Sequence, residues 1–166
     1  MRARFFAALM MVFPVAASAQ EGCFGAGVPL FHCTLKGGTK TLDVCLQGAA
    51  GYYRFGPGDG PAELILAHGV KDIHLTPWNG IGSNIYEELE FWAGDTTFQV
   101  HYLLERIAAD NPDISGGVRV FRADQMLADL TCDPGSVVER DFDPLFQAKE
   151  QAGQCYDANT FMWSSC

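Results

Sequence analysis

Positive charge is scarce in this sequence. Lys and Arg together number 11 against 20 Asp and Glu, which gives a net charge of −9 over 166 residues. Because a protein that binds a nucleic-acid backbone needs clustered Lys and Arg to neutralise phosphates, nucleic acid is excluded as a partner. Hydrophobic residues make up 48% of the chain and charged residues only 19%, so there is enough apolar area for a folded core. The length suits one domain, or one domain plus a leader and a tail.

Motifs for metal, redox or cofactor chemistry are also missing. The chain has no C-x-x-C pair, and its 4 histidines lack the i,i+4 or H-x-H spacing that aims two rings at one metal ion. Gly80 and Gly82 begin like a dinucleotide-binding fingerprint, but its third glycine position is Ile85. Ser83 lacks the flanking glycines of a nucleophile elbow. We therefore predict no catalytic residue, no metal site, no cofactor and no enzymatic activity.

The long apolar run of the chain lies at its N-terminus. Arg2 and Arg4 precede 13 apolar residues at 5–17, and Ala17-Ser18-Ala19 is a small-residue site of the kind that signal peptidase cleaves. A run of 13 residues falls short of the roughly 20 that a membrane-spanning helix needs. Residues 1–19 are therefore predicted to be a cleaved signal peptide. The mature chain would then be periplasmic or secreted, without a transmembrane segment, and its net charge would be −11 because the leader holds two basic residues and no acidic one.

Cysteines occur only after the predicted cleavage site, and there are six of them: Cys23, Cys33, Cys45, Cys132, Cys155 and Cys166. An even number in an exported chain indicates three disulfides. Cys33 and Cys45 stand almost symmetrically about Gly37-Gly38, so a hairpin with its turn there would pair them. Cys155 and Cys166 would close a short C-terminal loop, and elimination then leaves Cys23 with Cys132.

Glycine and proline recur at short intervals through the middle of the chain, with short apolar runs between them, and Gly116-Gly117 is among these breaks. The pattern predicts eight strands, at 31–36, 41–46, 52–55, 63–67, 84–92, 97–105, 118–121 and 126–132. We expect a mainly β domain over 20–132, either a small antiparallel barrel or a sandwich. The clearest hairpin turns at Ala93-Gly94-Asp95-Thr96, because apolar and acidic side chains alternate along 85–91 before it.

The pattern changes after Cys132. Asp143-Pro144 places a favoured capping residue before a proline at the first helical position, and Gly153 is a residue type that commonly follows the end of a helix. We therefore predict a short helix from 144 to about 152 within a C-terminal extension, 133–166, that also contains the Cys155–Cys166 loop. The loop at 106–116 is expected on the surface.

The stretch from Tyr86 to Val100, above all Phe91-Trp92-Ala93-Gly94-Asp95-Thr96-Thr97-Phe98, resembles the aromatic pair, Gly-Asp turn and following apolar strand of bacterial envelope inhibitors of c-type lysozyme. Members of that family are small exported antiparallel barrels that inhibit lysozyme. The resemblance implies such a fold, and a domain that protects the cell wall by binding a lysozyme. The front half, with Phe31-His32-Cys33 and Tyr53-Arg54-Phe55-Gly56, looks like uncharacterised exported proteins of Gram-negative bacteria.

These observations favour an exported, acidic binding protein whose partner is a cationic protein such as lysozyme, since opposite charges speed association. We predict that residues 78–86 insert into the partner. Trp78 is the expected aromatic anchor, and the expected polar contacts are Ser83, Asn84 and Tyr86. The residues expected to steer the partner are Glu87, Glu88, Glu90 and Asp95.

Two other functions stay open at this stage. The many aromatic residues suit a filled core, but in a wider barrel they would line the apolar cavity of a small-ligand carrier. The other alternative is an envelope hydrolase whose residues come from distant strands. A filled interior beside a protruding loop favours the binding protein, an open apolar cavity favours the carrier, and a buried His beside a carboxylate in a cleft favours the enzyme.

Overall fold

The computed structural model describes residues 27–106 and 114–166. Within these ranges the chain forms twelve β-strands and one short α-helix. The strands are β1 (Val28–Leu35), β2 (Lys40–Gln47), β3 (Ala50–Gly56), β4 (Leu64–Gly69), β5 (His74–Thr76), β6 (Asn84–Ala93), β7 (Thr96–Glu105), β8 (Ile114–Arg122), β9 (Gln125–Thr131), β10 (Glu139–Arg140), β11 (Gln154–Asp157) and β12 (Met162–Ser165), and the helix is α1 (Asp143–Gln151). The predicted signal peptide at 1–19 lies outside the described residues, as do positions 107–113 of the predicted surface loop.

Ten of the strands form two five-stranded antiparallel sheets. The first sheet has the order β10-β1-β2-β3-β4, the second has the order β5-β6-β7-β8-β9, and β11 and β12 form a separate hairpin. The sheets make a sandwich and do not close into a barrel. The predicted mainly β class is confirmed, and all eight predicted strands are present. The sequence did not reveal β5, β10, β11 and β12, because strands of two to four residues are too short to show alternation.

Inward-facing side chains of both sheets fill the sandwich. On β6 the buried Leu89 and Phe91 alternate with partly exposed glutamates, as the period of a half-buried strand requires. The ring centroid of Tyr53, from the first sheet, lies 5.8 Å from that of Phe91 and 5.6 Å from that of Phe98 in the second sheet. Aromatic residues of the two sheets therefore contribute to a shared core, as is usual where two sheets pack face to face.

Gly116-Gly117 lies inside β8 and is not a break between strands, so that prediction is wrong. Close packing is the reason. A Cβ at Gly116 would stand 2.9 Å from the carbonyl oxygen of His101 and 3.1 Å from the ring of Phe31. A Cβ at Gly117 would collide with the carbonyl oxygen of Leu130. These glycines allow neighbouring groups to approach the strand closely. A glycine pair required for close packing cannot be distinguished in the sequence from a glycine pair in a turn.

The register of the first hairpin corrects the predicted pairing of Cys33. Cys33 is bonded to Cys132, 99 positions away, and not to Cys45. The β1–β2 ladder sets Cys33 opposite Leu42, and it sets Cys45 opposite Pro29 beyond an irregularity in the ladder. Cys33 and Cys45 are therefore not cross-strand neighbours.

The same bond rules out the predicted partner of Cys132, because its sulfur is already bonded and Cys23 cannot also pair with it. Cys45 is disulfide-bonded as well, while Cys23 lies outside the described residues. The predicted bond between Cys155 and Cys166 is confirmed.

The helix α1, Asp143–Gln151, agrees with the predicted position to within one residue at each end. Its N-cap is Phe142 and not Asp143, and no side chain caps it from that position. The backbone N–H of Asp143 instead donates to the carboxylate of Asp141 at 3.1 Å. At the other end Gly153 has a φ of +84°, which is the conformation that commonly follows a helix, as predicted.

The C-terminal extension covers backbone carbonyls at and before the edge strand β5. Its side-chain donors are Lys149 Nζ to Val70 at 3.0 Å and to Ile73 at 2.6 Å, Gln154 Nε2 to Lys71 at 3.2 Å, and Trp163 Nε1 to Leu75 at 2.7 Å. An uncovered edge strand presents unpaired backbone groups to other chains. The extension supplies side-chain donors to this edge and is an integral part of the sandwich.

Candidate functional site

The segment between β5 and β6, residues 77–83, is held by its own hydrogen bonds. The indole Nε1 of Trp78 donates to the carbonyl of Ile81 at 3.1 Å, and the amide of Ile81 donates to the side chain of Asn79 at 3.0 Å. Gly80 and Gly82 have φ angles of +82° and +97°, which residues with a Cβ rarely adopt. Ile81, between these two glycines, is 77% exposed. We call residues 77–83 the Ile81 loop.

Arg106, which follows β7, supports the Ile81 loop. Its backbone N–H donates to the carbonyl of Ser83 at 2.8 Å, and its Nη1 donates to the carbonyl of Gly82 at 3.2 Å. The guanidinium carbon lies 4.6 Å from the centroid of the Trp78 ring. A cation over an indole face contributes about 0.5–1 kcal/mol at an exposed site. Trp78 is thus a half-buried support, and Ile81 is the exposed apolar side chain of the loop.

Glu87 connects the Ile81 loop to the interior of the sandwich. One carboxylate oxygen accepts a hydrogen bond from the hydroxyl of Tyr102 at 2.6 Å, and the other accepts from the backbone N–H of Trp78 at 3.1 Å. Burial, followed by the hydrogen bond and charge of Glu87, raises the pKa of Tyr102. The tyrosine therefore stays protonated and keeps donating. Glu87 acts as a brace between the loop and β7.

The opposite side of β6 belongs to the outer face of the second sheet. There the hydroxyl of Tyr86 donates to Glu88 at 2.6 Å and accepts from Arg119 at 2.9 Å. Burial raises the pKa of Tyr86 to about 12, with further contributions from Glu88 and an opposing one from Arg119. The three side chains form one hydrogen-bonded group that reaches from β6 to β8.

A second row of polar side chains crosses the same face. Gln99 donates to Glu90 at 3.0 Å and accepts from Arg119 at 3.4 Å, and Arg119 lies 3.8 Å from the carboxylate of Asp129. Burial, followed by the charge of Arg119, lowers the pKa of His101 on this face, so its imidazole is neutral at pH 7. The two rows together contain three carboxylates, those of Glu88, Glu90 and Asp129, and one guanidinium, that of Arg119. The outer face of the second sheet is therefore acidic.

Seven of the eight predicted contact residues lie in the Ile81 loop or on β6: Trp78, Ser83, Asn84, Tyr86, Glu87, Glu88 and Glu90. Asp95 is the exception. It lies in the β6–β7 turn, where its carboxylate is 3.5 Å from Arg122. At about 3.3 Å per residue, the ten-residue strand β6 puts this turn about 30 Å from the loop. Asp95 is therefore not part of the same surface.

Three residues of this region were missed by sequence reasoning, namely Ile81, Arg106 and Arg119. An aliphatic residue between two glycines is the one local signal that marks Ile81, but it was interpreted only as a turn. Arg106 and Arg119 carry no local signal, because their partners Trp78 and Tyr86 lie 28 and 33 positions away.

A histidine–carboxylate pair lies on the outer face of the first sheet. His32 Nδ1 is 2.6 Å from Asp43, whose side chain is only 3% exposed, and Arg54 lies 3.4 Å from the other carboxylate oxygen. The hydroxyls beside the pair are engaged elsewhere. Thr34 donates to a carboxylate at 2.9 Å, and Thr41 accepts from Arg54 at 2.9 Å. The pair therefore ties β1 to β2 and β3 and does not activate either of these two hydroxyls.

Comparison with known families, with characterised proteins and with solved structures finds no match for this chain. Within the described ranges, no helix is long and apolar enough to cross a membrane. No group of three or more His, Cys, Asp or Glu side chains in this part of the chain is arranged to hold a metal ion. The geometry and charge of the Ile81 loop and of the neighbouring acidic face are therefore the basis for a functional proposal.

Proposed function

We propose that this chain is an exported binding protein whose partner is a cationic protein, with a c-type lysozyme as the first candidate. The observation that carries the proposal is the Ile81 loop, an aliphatic side chain exposed between two glycines and supported by Trp78 and Arg106. A loop that is ordered before binding loses less conformational entropy when it docks. Such a loop suits insertion into an apolar recess of another protein.

The charge of the chain supports a cationic partner. Acidic residues exceed basic ones by 9, and Glu88 and Glu90 lie on the face that adjoins the Ile81 loop. Opposite charges raise the association rate through long-range attraction, and salt screens that attraction. Arg106, the cation beside the loop, lies over Trp78 and so contributes to the loop's support.

The covalent structure supports an exported location. The Cys33–Cys132 bond joins β1 to the residue after β9, and the Cys155–Cys166 bond joins β11 to the residue after β12. Structural disulfides persist in oxidising compartments. The signal-peptide pattern at 1–19 points the same way. A periplasmic or secreted protein meets the enzymes that attack the cell wall, which is where a lysozyme-binding protein would act.

Titration of the purified, oxidised chain against a c-type lysozyme, followed by calorimetry and by wall lysis, tests the proposal. We expect binding at low salt that weakens as salt is added. The E88Q/E90Q variant should associate about 5- to 10-fold more slowly. The matched control is D95N/D124N, which removes the same charge from two distant turns and should change the rate by less than about 2-fold.

Cytochrome c and a neutral protein serve as further titrants. Binding to both cationic proteins but not to the neutral one would support the general proposal and remove lysozyme as the specific partner. Absence of binding to every cationic protein at micromolar concentration and low salt would overturn the proposal.

A further inference from the structure

The β11–β12 hairpin presents two more exposed apolar side chains, in addition to Ile81. Phe161 is 45% exposed and Met162 is 57% exposed, although both are large enough to be expected in a core. Phe161 also has a φ of +57°, in the left-handed region that residues with a bulky side chain rarely occupy. A strained backbone at an exposed aromatic residue is a reason to look for a function.

The tip of this hairpin is held in place by hydrogen bonds and a covalent bond. The carboxylate of Asp157 accepts from the backbone N–H of Asn159 at 2.9 Å and from the hydroxyl of Thr160 at 3.0 Å. The Cys155–Cys166 disulfide closes the base of the hairpin. The exposed side chains are therefore carried by an ordered turn.

The hairpin lies alongside the segment that leads into the Ile81 loop. Near its base, Gln154 donates to the carbonyl of Lys71, and nearer its tip Trp163 donates to the carbonyl of Leu75. The hairpin thus advances in the same direction as the chain through β5, whose last residue is Thr76. The Ile81 loop follows at 77–83, so the hairpin tip extends toward the end of the sandwich that carries this loop.

The charge of the extension favours the same partner as the Ile81 loop. From the start of α1 to the end of the chain, residues 143–166, the acidic residues Asp143, Glu150 and Asp157 are exposed, whereas the one cation of this stretch, Lys149, is 0% exposed. The side-chain charge that residues 143–166 show to an approaching protein is therefore negative. The same excess of negative charge opposes association of this end with a second copy of the chain.

We propose that the tip of the β11–β12 hairpin and the Ile81 loop form one docking surface for the cationic partner, with Phe161 as the second apolar anchor. This inference rests on the proposed function and deepens it. Apolar side chains on ordered tips, with acidic residues on the strands that carry or adjoin them, suit the usual division of an interface into an apolar centre and a polar rim.

The test compares single serine substitutions of three exposed apolar residues, with a c-type lysozyme and cytochrome c as the probes. Ile81→Ser and Phe161→Ser should each lower affinity about tenfold. The matched control is Val138→Ser, which lies beside β10 in the first sheet, is 61% exposed and should change affinity by less than about 2-fold. Circular dichroism and an intact Cys155–Cys166 bond by mass spectrometry check that the variants are folded.

The outcomes separate this inference from the proposed function. If I81S weakens binding and F161S does not, the hairpin is not part of the surface and the inference is wrong, while the proposed function stands. Absence of binding by the unmodified chain removes both. Sedimentation that reveals a dimer dissolved by F161S would assign the tip to self-association and overturn the inference.

Discussion

Lys149 makes the stability of the structure rise with pH in the alkaline range, whereas a lysine held charged in an ion pair loses its stabilising effect there. Its ammonium group is 0% exposed, donates to the carbonyls of Val70 and Ile73, and lies 4.8 Å from the ring centroid of Trp163. Among the described residues no carboxylate lies within ion-pair distance of it. Burial lowers the pKa of Lys149 from 10.5 to about 8, although Asp72 opposes the shift.

The free energy of unfolding depends on pH because the folded and unfolded chains bind different numbers of protons. Between pH 8 and pH 10.5 the unfolded chain holds the Lys149 proton and the folded chain has lost it, so the free energy of unfolding rises with pH. At 1.36 kcal/mol per pKa unit, and allowing for partial titration at both limits, the gain from pH 8 to pH 9.5 is about 1.5 kcal/mol. Burial raises the pKa values of Tyr53, Tyr86 and Tyr102, which lowers stability as pH rises through 10 and above.

Urea unfolding at several pH values from 8 to 9.5 measures this effect. The comparison variant is Lys149→Met, which keeps most of the aliphatic volume and cannot titrate. Its absolute stability will differ because two carbonyls lose their donor, so the relevant quantity is the slope against pH. The unmodified chain should gain about 1.5 kcal/mol relative to K149M over this range. Parallel curves for the two proteins would refute the reasoning.

Two further predictions concern the covalent and packing constraints. Replacing both cysteines of the Cys33–Cys132 bond, which spans 99 positions, by serine should lower the free energy of unfolding by about 4–5 kcal/mol. The same replacement at the Cys155–Cys166 bond, which spans 11 positions, should lower it by about 3 kcal/mol. Urea unfolding ranks the two double variants, and the reverse order would contradict the loop-entropy argument. Gly116→Ala should lower the free energy of unfolding by about 1–3 kcal/mol because its methyl group meets both the backbone carbonyl of His101 and the ring of Phe31. Thermal unfolding should show a smaller loss from G116A in a Phe31→Leu background; an equal loss would show that the ring is not the obstacle.

The strands that were predicted correctly are those that residues only a few positions apart mark in the sequence. The β6–β7 hairpin is an example, because alternation along β6 marks the inward side chains and Gly94, with a φ of +61°, marks the turn. Pairing across strands is different. Cys33 and Cys45 looked symmetric about a Gly-Gly turn, but the observed register sets Cys33 opposite Leu42. A register depends on turn geometry and ladder irregularities that a count of residues does not contain.

The candidate site depends on contacts that the sequence did not show. Residue type alone suggested Trp78 as the aromatic anchor of segment 78–86. In the fold, Arg106 from the end of β7 lies over the indole, Glu87 holds the backbone of Trp78, and Ile81 is the most exposed apolar side chain of the loop. Each of these contacts joins different parts of the β5–β6–β7 region, so no single segment of sequence displays them.

The sequence by itself determined the mainly β class, the eight longer strands, the position of the helix and the acidic balance. Turn residues, alternation and helix-ending glycines act over a few neighbouring positions, so a linear pattern is enough to read them. The tertiary structure decided which cysteines meet, which side chains Arg119 contacts on the acidic face, and how Lys149 and Trp163 cover the edge at β5. Those outcomes depend on groups up to 99 positions apart that come together only when both sheets form and pack, and it is this packing that selects one register and one set of contacts.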